Sequence, residues 1–167
     1  MNKICIAIVL LMLVPSVLQA QITVTSSAFT NNGMIPAKYS CEGDNINPPL
    51  RIGSLPAAAK SIAIICHDPD APREGGFTHW VLWNIKPNEA ITENYKGASQ
   101  GANGTGKRGY IGMCPPSGTH HYHFMVYALD KKLDLPEDTD KAGLEKAMQG
   151  HILSYADLVG LYIKTKK

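Results

Sequence analysis

Neither sign of charge is in surplus in this chain: 16 Lys and Arg stand against 14 Asp and Glu, for a formal charge of +2. A protein that grips nucleic acid through its phosphates needs Lys and Arg in clusters. The one small group, Lys164, Lys166 and Lys167, reads as a solvated tail. Charged residues make up only 18% against 44% hydrophobic, too apolar a balance for intrinsic disorder. A length of 167 residues fits one ordinary domain and argues against a multidomain enzyme. Trp and Phe are sparse, at 2 and 3 beside 7 Tyr, whereas 15 Gly and 11 Pro punctuate the chain. That punctuation excludes long helical bundles and favours short strands joined by turns.

Long apolar runs are missing save one. Lys3 precedes an unbroken stretch from Ile4 to Val14, followed by Pro15, Ser16, the small Ala20 and the polar Gln21. It is shorter than the roughly 20 residues that span a bilayer, and it reads as a secretory signal peptide cut after Ala20. The expected product is a single domain over 21–167, exported to the periplasm or secreted, with no transmembrane segment once the leader is gone.

Cysteine is scarce as well, with four in all. Cys5 belongs to the leader, and Cys66 lies in the apolar run Ile62 to Cys66, where a small buried thiol packs well. Cys41 and Cys114 sit in the loop-like segments YSCEGDNINPP and GYIGMCPPSG. In an oxidising compartment they are the natural disulfide partners. Three cysteines still allow three pairings, and three free thiols remain the alternative.

Alternating apolar and polar residues predict short strands at Ile22 to Thr25 and Leu50 to Ile52. Ser61 to Cys66 is continuously apolar and predicts a strand buried on both faces. His79 to Ile85 and Tyr122 to Leu129 are rich in aromatic and β-branched residues. Asp140 can cap a helix over Lys141 to Gln149, with Leu144, Ala147 and Met148 on one face and Gly150 as its stop. A second short helix is expected near Ile152, before a strand-like pattern from Ala156 to Ile163. Asn94 to Gly112 carries six Gly and reads as a long loop.

The polar residues fall at strand ends. Ser61 to Cys66 runs into His67, Asp68, Pro69, Asp70, Ala71 and Pro72, and the next strand opens with Thr78, His79 and Trp80. If those strands are antiparallel neighbours, Asp68, Asp70 and His79 share one end. His120, His121, Tyr122 and His123 open a later strand after Cys114, Pro115, Pro116, Ser117 and Gly118. Should it run parallel to the His79 strand, it joins the same end. Each residue also has a plain structural role open to it. Asp68 and Asp70 can form Asx turns, His79 can be a hydrogen-bonded core histidine, and His121 with His123 can project from one face of a surface strand. No GxSxG elbow, HExxH helix, P-loop or Cys-rich zinc spacing is present.

DPDAP, THWVLWNI and GYIGMCPPSGTHHYHFMVYALD resemble the phosphatidylethanolamine-binding protein family, in its bacterial Raf-kinase-inhibitor-like branch. YSCEGDNINPPL and KAMQGHILSYADLVGLY extend the resemblance over nearly the whole of 21–167. It implies a mainly β fold, a sandwich of two antiparallel sheets with short C-terminal helices, holding a small anion pocket at one end. Carried over position by position, the pocket is Asp68, Asp70, Pro72, His79, Cys114, Pro115, His120 and Tyr122. Two positions depart from the branch: Met113 stands where a proline is usual, and His121 where an arginine is usual.

The function expected is an exported module that binds a phosphate- or carboxylate-bearing small molecule or lipid head group, or a partner protein with inhibitory effect. No cofactor, metal or catalytic residue is called for. The alternative is a hydrolase that uses the His/Asp pocket, with or without a metal held by His79, His120, His121, His123 and the aspartates. With no arginine counted in the pocket, protonated His79 or His120 becomes the counter-charge, and anion binding is expected to weaken between mildly acidic and neutral pH.

Overall fold

The computed structural model describes residues 21–165. The leader reading, Cys5, Lys166 and Lys167 lie outside the described residues. The described residues form eight strands, β1 (Thr23–Thr25), β2 (Gly33–Met34), β3 (Arg51–Gly53), β4 (Ser61–Asp68), β5 (Phe77–Ile85), β6 (Ser99–Gln100), β7 (Thr119–Leu129) and β8 (Ile152–Ile163), with one α-helix, α1 (Lys141–Met148), before the last strand and a single 3-10 turn at Ala37–Tyr39. β1 and β3 make a two-stranded sheet, and the other six form a sheet in the order β2-β8-β7-β4-β5-β6. All neighbours are antiparallel except β2 and β8, which pair in parallel.

The long strands are explained by what covers each face. In β7, Tyr122, Phe124, Val126 and Ala128 point to one side and are wholly buried. They join Ile62, Ile64, Cys66, Trp80 and Leu82 in the main core, closed over by Ile22, Ile35, Tyr39, Leu50 and Ile91 from the loops and small strands. On the other side Ala63, Ile65, Val81 and Trp83 are sealed by Leu144 and Met148 of α1. β4 is therefore apolar at every position from Ile62 to Cys66 because it is covered on both faces.

Helix α1 begins as the sequence indicates: the Asp140 carboxylate accepts the Gly143 N–H at 2.9 Å. Gly150, at φ 77°, turns the chain directly into the sheet. No second helix follows. Ile152 already pairs with Leu129, and the strand continues unbroken to Ile163. The expected plural helices reduce to one, because Ser154, Ala156, Leu158, Gly160 and Tyr162 alternate as an inward-facing row from the start of that segment. The glycine-rich loop also carries β6, which pairs Leu82 with Gln100 and Trp83 with Ser99.

Gly160 shows how tightly the layers meet. A Cβ there would stand 2.5 Å from Ile35 Cδ1 and 2.7 Å from Phe29 Cε2, both on buried residues. Gly160→Ala is expected to destabilise the fold by about 1–3 kcal/mol, a usual cost of overpacking. Combining it with Ile35→Ala should cost less than the two separate losses added together, by about 0.5 kcal/mol or more. Urea unfolding of the four proteins checks both statements, and a wild-type midpoint for Gly160→Ala would contradict this packing.

Candidate functional site

β5 and β7 are both antiparallel to β4, so their first residues gather at its last. This brings Asp68, His79 and His120 together, as the strand ends foretold. His79 needs a further device. Pairing passes from Cys66↔Trp80 directly to His67↔Thr78, leaving His79 as an extra residue in β5. Strict alternation would place it with Val81 and Trp83, beneath α1. The bulge instead sets its ring edge-on to Tyr122 and Phe77, at centroid distances of 5.2 and 4.8 Å.

The three polar residues line a cavity of about 350 Å³. Its walls include Pro72, Phe77, Ile111, Pro115, Pro116 and the disulfide-bonded Cys114. Of the eight residues expected, Asp68, Pro72, His79, Cys114, Pro115 and His120 lie on this surface. Asp70 and Tyr122 are not among the lining residues. Asp70 turns to β7, accepting the His121 N–H at 2.8 Å and pairing with His121 Nδ1 at 2.7 Å. Those hydrogen bonds hold its carboxyl below the usual range. His121 thus supplies the carboxylate partner that an arginine would otherwise be. Tyr122 is wholly buried beside His79 and His120, with its hydroxyl set toward the Asp68 carboxylate. Burial first, then the Asp68 charge, raises its pKa.

Asp68 fills both the structural and the chemical part considered for it. One carboxylate oxygen accepts the Asp70 N–H at 2.9 Å, closing an Asx turn, while the other meets His120 Nδ1 at 2.8 Å. Both side chains are nearly dry, at 4% and 9% exposure. His79 Nδ1 donates to the Ile111 carbonyl at 2.8 Å, which fixes the tautomer and leaves Nε2 for the cavity. Burial pushes the His79 pKa down to about 4. Burial thus disfavours the charged ring between mildly acidic and neutral pH, which counts against His79 as the titrating counter-charge over that window.

One further residue, outside the set expected from the sequence, borders the cavity. Arg73 follows the DPDAP segment immediately and lines the cavity, its guanidinium 5.6 Å from the Phe77 ring centroid and bonded to the Gly104 carbonyl. Its place one residue beyond the proline of that loop was the available signal. His121 and His123 do not join His79. Each Nδ1 is taken by its own carboxylate, Asp70 and Asp157.

The wall from Ile111 to Pro116 has no regular structure of its own. It is tied to the segment around Ser40 instead. Cys41 and Cys114 are disulfide-bonded with Cα atoms 5.5 Å apart, Cys41 N–H donates to the Met113 carbonyl, and Gly112 N–H donates to Asn45 Oδ1. Among the described residues, Cys66 is a buried free thiol. Met113, fully buried and in contact with the Tyr110 hydroxyl through Sδ, anchors the turn by packing where a proline would stiffen it covalently.

Two outcomes follow for stability. Cys41→Ser with Cys114→Ser is expected to lower unfolding free energy by about 2–4 kcal/mol, read from chemical denaturation; an unchanged midpoint would mean that the surrounding hydrogen bonds suffice. For His79 the folded pKa of about 4 lies below the unfolded value of about 6.5. Its contribution is complete above pH 6.5 and is lost as pH falls toward 4, by about 3 kcal/mol. His79→Gln should flatten stability against pH across that interval, and an unaltered slope would refute the assignment.

The sequence profile of the phosphatidylethanolamine-binding proteins matches residues 25–163. A UPF0098 protein of Pyrococcus horikoshii is 51% identical over 148 residues, spanning 82% of this chain and 74% of the relative. Among solved structures, a phosphatidylethanolamine-binding-protein homologue from Chlamydia trachomatis superposes with a TM-score of 0.85 at 41% identity, covering 87% of this chain and 99% of its own. YbcL of E. coli, described as a member of the mammalian family, gives 0.81 at 29% identity, covering 87% and 100%. With profile, relatives and fold in agreement, the chain belongs to the phosphatidylethanolamine-binding protein family.

Proposed function

We propose that the chain is an exported binding module whose cavity captures the phosphate or carboxylate group of a small molecule, a lipid head group or a partner protein. The observation that carries this is the make-up of the cavity. Asp68, His79 and His120 form a polar floor within stiff, apolar walls, and the residues lining it offer neither a hydroxyl nor a free thiol as a nucleophile. Ligands of this family, as its name states, include phosphatidylethanolamine, whose head group joins an ammonium to a phosphate. A zwitterion suits a site that holds a carboxylate and a guanidinium together. Occupation of the cavity by a group on another protein is the route to an inhibitory role. The apolar leader and the Cys41–Cys114 disulfide support export, since disulfides persist in oxidising compartments.

The Asp68–His120 pair favours one second reading, because a carboxylate behind an imidazole also makes a general base able to activate water. Calorimetric titration with inorganic phosphate and phosphoethanolamine, together with turnover assays on phosphate and carboxylate esters in the presence and absence of zinc, separates the two. Binding by wild type, weakened about tenfold or more in His120→Ala, without ester turnover, is the expected result. Steady multiple turnover that His120→Ala abolishes would establish the hydrolase instead.

A further inference from the structure

We propose that the cavity takes its ligand as an oxyanion that still carries an acid proton, the monoanion of a phosphomonoester, and that this proton is donated to His79 Nε2. The inference deepens the binding role proposed above and rests on it.

It starts from the hydrogen-bonding inventory of the floor. His79 Nδ1–H is spent on the Ile111 carbonyl, so in the neutral ring Nε2 offers a lone pair and no hydrogen. The ring is 4% exposed, and its burial works against a positive charge. The groups around it are Asp68 and His67 from β4, Tyr122 and His120 from β7, the Ile111 and Gly112 carbonyls, and Arg73 in the wall of the same cavity. Desolvation outweighs the attraction of Asp68, and His67 adds to it. The two prolines of the opposite wall, Pro115 and Pro116, have no N–H to give. A fully ionised oxyanion would therefore set its lone pairs against the lone pair of Nε2 and the charge of Asp68. A P–OH group removes that conflict, because it supplies the donor that the neutral His79 ring lacks at Nε2. Charge leads to the same form. A monoanion also sets one negative charge beside the Asp68 carboxylate where a dianion sets two.

Phenyl phosphate and phenyl sulfate test this on the unmodified protein, since they are close in shape and only the phosphate retains a proton near neutrality. A phosphomonoester loses its second proton at about pH 6, so its monoanion declines about 50-fold between pH 6 and pH 8. Calorimetry should show phenyl phosphate weakening in step with that decline and phenyl sulfate binding about tenfold or more weaker at pH 6. Their ratio removes whatever acts alike on both probes. His79→Gln, whose amide can donate, should bring phenyl sulfate up toward phenyl phosphate; if the variant does not fold, the wild-type comparison still decides. Equal affinities at pH 6, or a ratio that does not change with pH, would overturn the inference and leave the binding role standing. Ethylammonium binding as tightly as phenyl phosphate would put an ammonium in the proton's place and overturn it too. Failure of both aryl probes and of phosphoethanolamine to bind at pH 6 would remove the binding role and this inference together.

Discussion

The molecule depends on one strand being buried on both faces. β4 can be apolar at every central position only if β5 and β7 flank it, the main core covers one side and α1 covers the other. Because both neighbours run antiparallel to it, the last residue of β4 and the first residues of β5 and β7 are drawn to one place. The position of the cavity is thus a by-product of how the core is sealed. The chemistry of the cavity depends on which side chains stand at those three chain positions.

At that end the dielectric surroundings do most of the electrostatic work. Asp68 and His120 are both out of water and hold each other, whereas His79 is out of water beside backbone carbonyls and stays neutral. Two histidines, each more than nine-tenths buried, thereby acquire different partners. Arg73 is exposed to solvent and borders the same cavity as the dry groups. Stiffness on the opposite side comes from chain regions far apart in sequence, joined by the Cys41–Cys114 disulfide and by the contacts of Gly112 and Met113 with residues 40–45.

Much of this was legible in the sequence, for reasons that can be named. The continuous apolar run of β4, the capping Asp140 and the alternation in β7 carry their structure locally, and polar residues at strand ends mark a shared edge once the pairing is antiparallel. The second helix expected at Ile152 failed because helical and strand patterns are hard to separate over a short apolar stretch, and the long partner β7 settled it. Asp70 and Tyr122 were placed on the cavity surface from their positions in motifs, but motifs do not state which way a side chain turns. Asp70 is drawn to the exposed His121, and Tyr122 falls on the buried row of its strand. Arg73 was missed because charge was counted within the motif and the loop continues past it. The neutrality of His79 depends on the depth of burial, which no local pattern expresses.

The bulge at His79 separates the fate of the fold from the fate of the site. One additional residue between two otherwise regular pairings decides whether an imidazole faces the cavity or the helix-covered side of the sheet. Loss of a single residue there would preserve every strand and both cores while exchanging the ring for a neighbour of different character. Folded proteins with the same sheets and an altered floor are therefore one codon away, and the architecture can be inherited without its chemistry.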